Sequence, residues 1–129
     1  MKKLVLLPLA LLAGCIVYRD GPIVDNGPPA PEGTAVELGR PVQVGAVVAT
    51  PMNVVEDSRC PENARCVWAG RLVVTTRIDG AGWRETADLT LGEPLRVRDA
   101  TVSLVSGLPE NRAERETAAN EYRFVYEAR

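Results

Sequence analysis

The chain has 129 residues, with 15 lysine and arginine residues against 17 aspartate and glutamate residues, and it has no histidine. The missing histidine excludes Ser-His and Cys-His nucleophile pairs and His-ligated zinc or copper sites. A net-acidic chain without a basic run is also a poor match for nucleic acid. The sequence therefore predicts no metal site, no cofactor and no nucleic-acid partner.

The first segment, residues 1–14, joins a basic start to a short apolar run. The run, residues 4–12, is shorter than the roughly 20 residues that a membrane span needs. Residues 12–15 are Leu-Ala-Gly-Cys, and the segment resembles a bacterial lipoprotein signal peptide. The resemblance implies cleavage before Cys15 and lipidation of Cys15. The alternative is an ordinary secretory signal that leaves Cys15 as a plain thiol.

Residues 15–33 are predicted to form a tether behind the lipidated cysteine. The stretch is rich in proline and glycine, which oppose regular structure. At about 3 Å per residue it reaches up to roughly 50 Å from a bilayer. The alternative is an arm that packs Ile23 and Val24 on the domain. Because Ile16 rather than aspartate follows the cysteine, the lipoprotein resemblance implies the outer membrane, with the domain facing the periplasm.

Residues 34–129 are predicted to form one all-β domain, because apolar and polar residues alternate along them. Residues 79–82 hold two glycines between two such stretches and predict a hairpin turn. Residues 111–119 are polar and predict either a short surface helix or a mobile loop. About seven or eight strands favour a small antiparallel sandwich or a barrel-like domain. The strands are predicted at residues 36–38, 42–49, 52–56, 66–78, 83–91, 95–98, 101–105 and 121–127.

Cysteine usage adds a second constraint. With Cys15 assigned to lipid, the remaining cysteines are Cys60 and Cys66. An isolated pair in an oxidising envelope is expected to form a disulfide. A redox-active pair is the alternative, although such pairs more usually have two intervening residues.

The residues around this pair carry a second resemblance. Asp-Ser-Arg-Cys-Pro at residues 57–61 and Cys-Val-Trp-Ala-Gly at residues 66–70 resemble the signature of a group of small exported bacterial proteins, many of them lipoproteins. The resemblance implies a disulfide-closed loop that enters a core strand at Trp68. Trp68 is accordingly predicted as a core anchor, since tryptophan buries a large area. No catalytic role follows from the resemblance.

Charged residues surround the cysteine pair and have two interpretations. Glu56, Asp57, Arg59 and Glu62 would form a binding rim for a cation, a carboxylate or a partner protein. Alternatively they belong to a solvated turn, in which Asp57 bonds its own following backbone and Arg59 pairs with Asp57 or Glu56. Calcium is a poor fit, because the spacing is not that of an EF-hand loop.

Three classes of function remain to be compared. The sequence favours a lipid-anchored, non-catalytic envelope module that binds an envelope protein or supports its assembly, because a long tether serves partner search. The alternative is an inhibitor of a lysozyme or protease that presents residues 61–65 on a rigid loop.

An enzyme that uses two carboxylates is the third class and is not favoured. Glu56 with Asp57, and Glu85 with Asp88, are the candidate pairs. Neighbouring strand residues point to opposite faces, and glycan hydrolysis needs two carboxylates about 5 to 9 Å apart across a cleft. A small sandwich offers little room for such a cleft.

Overall fold

The computed structural model describes residues 27–129. The predicted signal peptide, Cys15, and residues 16–26 of the tether lie outside the described residues. Between residues 27 and 129 we find no helix with the length and apolar character that crossing a membrane requires.

The described part of the chain contains seven strands in two antiparallel sheets that pack as a small sandwich. The all-β prediction is confirmed. The strand order is β1-β2-β3-β4 in the first sheet and β5-β6-β7 in the second, and a 3-10 turn, Ala119–Glu121, precedes β7. The strands are β1 (Val42–Val44), β2 (Val47–Asp57), β3 (Leu72–Gly80), β4 (Trp83–Thr90), β5 (Leu95–Val97), β6 (Ala100–Leu108) and β7 (Arg123–Glu127).

The core lies between the two sheets and follows the apolar alternation of the sequence. Val74 and Ile78 of β3 are fully buried on one side, and Phe124 and Tyr126 of β7 are fully buried on the other. The Tyr126 hydroxyl lies 2.9 Å from Oγ1 of Thr76, which is also buried. This bond satisfies both hydroxyls and joins the two sheets, as burial of polar atoms requires.

The two predicted strands nearest the amino terminus differ from those of the structure. Residues 42–49 were expected as one strand, but they are divided between β1 and β2 by a tight turn. Gly45 in that turn has a φ of 56°, a left-handed conformation that glycine adopts without steric cost. Residues 36–38 contribute a single bridge, from Val36 to Phe124, rather than a strand.

The packed domain begins ahead of residue 34. Ala30 is buried and bridges Val42, so the chain lies along the outer edge of β1. The Ala30 amide donates to the Pro41 carbonyl at 3.0 Å, and the Gln43 amide donates to the Ala30 carbonyl at 2.8 Å. The last residues of the predicted tether are therefore part of the domain.

Candidate functional site

Residues 58–71 join β2 to β3 and are called the disulfide loop below. Cys60 and Cys66 form a disulfide with their Cα atoms 5.8 Å apart, as predicted. The two arms of the loop also bond to each other. The Ser58 amide donates to the Arg71 carbonyl, and the Cys60 amide donates to the Ala69 carbonyl, both at 2.8 Å.

A glycine closes the base of the loop. Gly70 has a φ of 67°, and a Cβ at this position would lie 1.7 Å from the Ser58 carbonyl oxygen. No side chain fits there, since the backbone of the other arm already fills the space. The turn at Gly70 ends the loop and sends the chain into β3.

A buried ion pair anchors the loop to the sandwich. The Arg59 guanidinium donates two bonds to Asp57, from Nε to Oδ1 at 2.8 Å and from Nη2 to Oδ2 at 2.9 Å. Only 12% of the Arg59 side chain and 10% of the Asp57 side chain are exposed. The Tyr122 hydroxyl donates a third bond to Asp57 Oδ2 at 2.7 Å. We call Asp57, Arg59 and Tyr122 the clamp.

The clamp also joins the two sheets. Arg59 Nη1 donates to the Gly107 carbonyl at 2.6 Å, and Arg59 Nη2 donates to the Pro109 carbonyl at 3.2 Å. The Asn111 side-chain amide returns a bond to the Arg59 carbonyl at 2.8 Å. Asp57 ends β2 in the first sheet and Gly107 lies in β6 of the second, so one guanidinium bridges both. A planar group with five donors suits this task.

Burial and hydrogen bonding shift the pKa values of the three clamp residues. Burial raises the pKa of Asp57, but the bonds from Arg59 and Tyr122 outweigh it and hold that pKa below its usual value of 3.8. The bond to Asp57 raises the pKa of Arg59. Burial, together with the bond to Asp57, raises the pKa of Tyr122 to about 12. At neutral pH Asp57 and Arg59 are therefore charged, Tyr122 is neutral, and both Asp57 oxygens already accept hydrogen bonds.

The predicted binding rim is not assembled as one site. Asp57 and Arg59 form the buried clamp, whereas Glu56 pairs with Arg71 at the surface. Glu62 pairs separately with Arg112, at 2.6 Å. The predicted Arg59–Asp57 pair forms, but it is largely buried rather than solvated, and distant residues bond to it as well.

No group of three or more cysteine, aspartate or glutamate side chains comes together within residues 27–129 in a way that suits a metal ion. Glu85 and Asp88, the second candidate carboxylate pair, also have hydrogen-bond partners. Glu85 accepts a bond from Arg98 at 2.9 Å, and Asp88 accepts one from Thr75 at 2.7 Å, both in exposed surroundings. Neither carboxylate of that pair is placed to act as a buried general acid.

Trp68 was predicted as a core anchor, and this prediction is wrong. Trp68 is 68% exposed and its neighbour Val67 is fully exposed. The strand that was expected to begin at Cys66 begins at Leu72 instead. The physical reason is the turn at Gly70, which separates the loop from β3 and removes the loop side chains from the alternation that fills the core.

Sequence reasoning missed the partners that complete the clamp. Tyr122 lies 65 positions from Asp57 and Asn111 lies 52 positions from Arg59, and the Gly107 and Pro109 groups involved are backbone carbonyls. No local pattern indicates such contacts. The charged and amide side chains of residues 111–119 were the available signal, since a segment without a large apolar residue attaches mainly through polar groups.

No protein-family model matches the chain, and neither curated proteins nor solved structures gave a significant match.

Proposed function

We propose that this chain is a lipid-anchored, non-catalytic binding module of the cell envelope, and that it holds a partner protein through the tip of the disulfide loop. The observation that carries the proposal is the exposure of Val67 and Trp68 on a loop fixed by a disulfide and a buried ion pair. An exposed tryptophan on a rigid support is typical of the residues that dominate binding energy at protein interfaces.

Preorganisation supports a binding role for the loop. A flexible loop loses conformational entropy when it is immobilised by a partner, and this loss weakens binding. The disulfide, the Cys60–Ala69 backbone bond and the clamp already hold the disulfide loop in place. Binding through Trp68 then orders little beyond the side chain itself.

The amino-terminal sequence supports the envelope and the lipid anchor. The basic start, the apolar run and Leu-Ala-Gly-Cys at residues 12–15 agree with a lipoprotein signal, and Ile16 agrees with the outer membrane facing the periplasm. A disulfide is stable in that oxidising compartment. The engagement of Asp57, Glu56 and Glu62 in ion pairs supports a role without catalysis.

Site-specific cross-linking in cells tests this proposal. A photoreactive amino acid at Val67 is expected to capture one reproducible envelope protein. The same group at Glu93, an exposed residue in the connection between β4 and β5, is the matched control. Trp68→Ala should abolish capture from position 67 while the protein remains folded and exported. Equal capture from both positions would contradict binding through the loop tip.

Inhibition of a hydrolase is a second candidate, and the exposure of residues 62–65 favours it. Arg65 at the loop tip is the side chain that a trypsin-like active site would accept. Residual activity of a lysozyme and of a trypsin-like protease should be measured at micromolar concentrations of the chain. Inhibition that Arg65→Ala removes would support this candidate, and full activity of both enzymes would rule it out.

A further inference from the structure

The second half of β2 has no neighbouring strand on the side where β1 pairs with its first half. β1 pairs with β2 only at residues 47–49, the first three residues of β2. β3 pairs with β2 on its other side. The Gly39 amide then donates to the Pro51 carbonyl at 2.7 Å. Past Pro51, no segment within residues 27–129 pairs its backbone with β2 on this side. Unpaired strand edges bind other extended chains.

A cleft of about 470 Å³ follows this edge. Five consecutive residues of β2, 53–57, line it. Successive side chains of a strand point to opposite faces, so a cleft lined by all five runs along the strand edge and not over a face. Thr117, Ala119 and Tyr122 of the segment before β7 also line it. The cleft therefore lies beside the unpaired part of β2.

The walls of the cleft combine apolar surface with negative charge. Val55 is 54% exposed, and Leu38 and Val54 also line the cleft. The charged residues that line it are all carboxylates: Glu56, Asp57 and Glu116. Glu56 and Asp57 are paired with arginines, whereas Glu116 forms no ion pair or hydrogen bond within the described chain.

We propose that the edge of β2 at residues 53–57 docks an extended peptide of a partner protein, with a lysine or arginine side chain placed next to Glu116. Backbone bonds to the strand edge would supply affinity, and the carboxylate would select a basic residue, as in other cases of strand addition. Bulges between Pro51 and Asn53 and between Val54 and Glu56 interrupt the edge, so the pairing is short.

This surface is separate from the Trp68 loop tip, and the inference does not depend on the proposed function. Trp68 and Val67 do not line the cleft. The Trp68→Ala variant should therefore bind the peptide as the parent protein does. Loss of partner capture at position 67 and loss of peptide binding at the cleft are independent results.

The experiment uses the full chain with Cys15→Ser and the blocked peptide acetyl-Thr-Val-Lys-Val-Thr-amide, followed by amide NMR. Shifts are expected at residues 53–57 and 116–122. Replacing lysine by glutamate in the peptide should weaken binding about tenfold, and Glu116→Gln should weaken binding of the lysine peptide about threefold. Glu93→Gln, which removes an exposed carboxylate elsewhere, is the matched control and should leave binding unchanged.

Two N-methylated peptides test whether the backbone is used. Only alternate amides of a strand face its neighbour. Methylation of one alternate set should therefore reduce binding at least tenfold, while methylation of the other set should change it less than about twofold. Equal binding of both peptides would overturn the proposal. The absence of shifts at residues 53–57 would also overturn it. That result includes the case in which another part of this chain already occupies the edge.

Discussion

Strand β3 is entered through the disulfide loop and left through the short turn of Ala81 and Gly82. A tryptophan lies in the loop, and another follows the turn directly as the first residue of β4. Trp83 lies over Gly80, where a Cβ would come within 2.4 Å of three indole atoms. The Arg98 guanidinium lies 5.2 Å from the centre of the Trp83 ring. At the loop, Trp68 is 68% exposed.

The two connections are stabilised in different ways. Next to the short turn, the Trp83 ring packs over Gly80 and against the core cluster. The disulfide loop is held by the clamp, by the disulfide and by backbone bonds, whereas its tryptophan is mostly exposed. An exposed aromatic side chain on such a loop is available for recognition.

Removing the clamp arginine should have the largest effect on the long connection. Arg59→Ala leaves the Asp57 carboxylate buried without its cation, which we expect to lower the free energy of unfolding by about 3 kcal/mol. Urea denaturation measures this change. The control is Arg71→Ala, which breaks the exposed pair with Glu56 and should cost less than about 1 kcal/mol. Equal losses in the two variants would contradict a special role for the clamp.

Trp83→Ala should have the next largest effect and acts at the short turn. The ring is half-buried, so its removal should cost about 2 kcal/mol, less than the 3 to 5 kcal/mol typical of a fully buried ring. Thermal and urea unfolding measure the loss. Arg98→Ala removes the stacked cation together with its exposed ion pair with Glu85, and should cost less than about 1 kcal/mol. If Arg98→Ala costs as much as Trp83→Ala, the ring acts through the cation rather than through packing.

Removing the disulfide should have a similar or slightly smaller effect. Cys60→Ser combined with Cys66→Ser should lower the free energy of unfolding by about 2 kcal/mol, because the closed loop is short. Combining this change with Arg59→Ala tests whether disulfide and clamp hold the same loop. A loss smaller than the two single losses added together indicates that they do. Strict additivity would show that they act independently.

The clamp predicts how stability depends on pH. Tyr122 has its pKa raised from 10.0 to about 12, so its contribution is complete below pH 10 and is lost as the pH rises to about 12. Asp57 has a lowered pKa, so its contribution is complete above pH 3.8 and is lost as the pH falls further. Both limits should appear in urea unfolding measured across pH.

Tyr122→Phe isolates the alkaline limit. The variant should cost about 1 kcal/mol at neutral pH through the lost hydrogen bond to Asp57. It should also lack the additional loss of stability between pH 10 and 12 that Tyr122 contributes. Tyr126, whose pKa burial also raises, is present in both proteins, so the difference between them reports Tyr122. Identical alkaline profiles would show that the Tyr122 bond does not stabilise the fold.

The strands could be predicted from the sequence because the alternation of apolar and polar residues that indicates them is a local pattern. Alternation of apolar residues indicated β3, β4 and β7, and the glycines at residues 79–82 indicated the short turn. The loop chemistry was also partly local, since Cys60 with Cys66 and Asp57 with Arg59 are close in sequence.

The clamp and the orientation of Trp68 could not be predicted, because neither is local. Tyr122 reaches Asp57 across 65 positions, and Gly107 and Pro109 accept bonds through their carbonyls. Trp68 continues the apolar alternation of β3 in sequence. The turn that interrupts this alternation depends on Gly70 packing against the Ser58 carbonyl, a contact within the folded loop.

Substitution of Trp68 should have the smallest effect on the free energy of unfolding. Trp68→Phe or Trp68→Ala should change the free energy of unfolding by less than about 0.5 kcal/mol, because the side chain is mostly in solvent. The chain has two tryptophans, so acrylamide quenching of fluorescence separates them. Trp68→Phe should remove the readily quenched component, whereas Trp83→Phe should leave it. A destabilisation by Trp68→Ala as large as that of Trp83→Ala would mean that the loop needs its tryptophan to fold, and that Trp68 is retained for stability rather than for recognition.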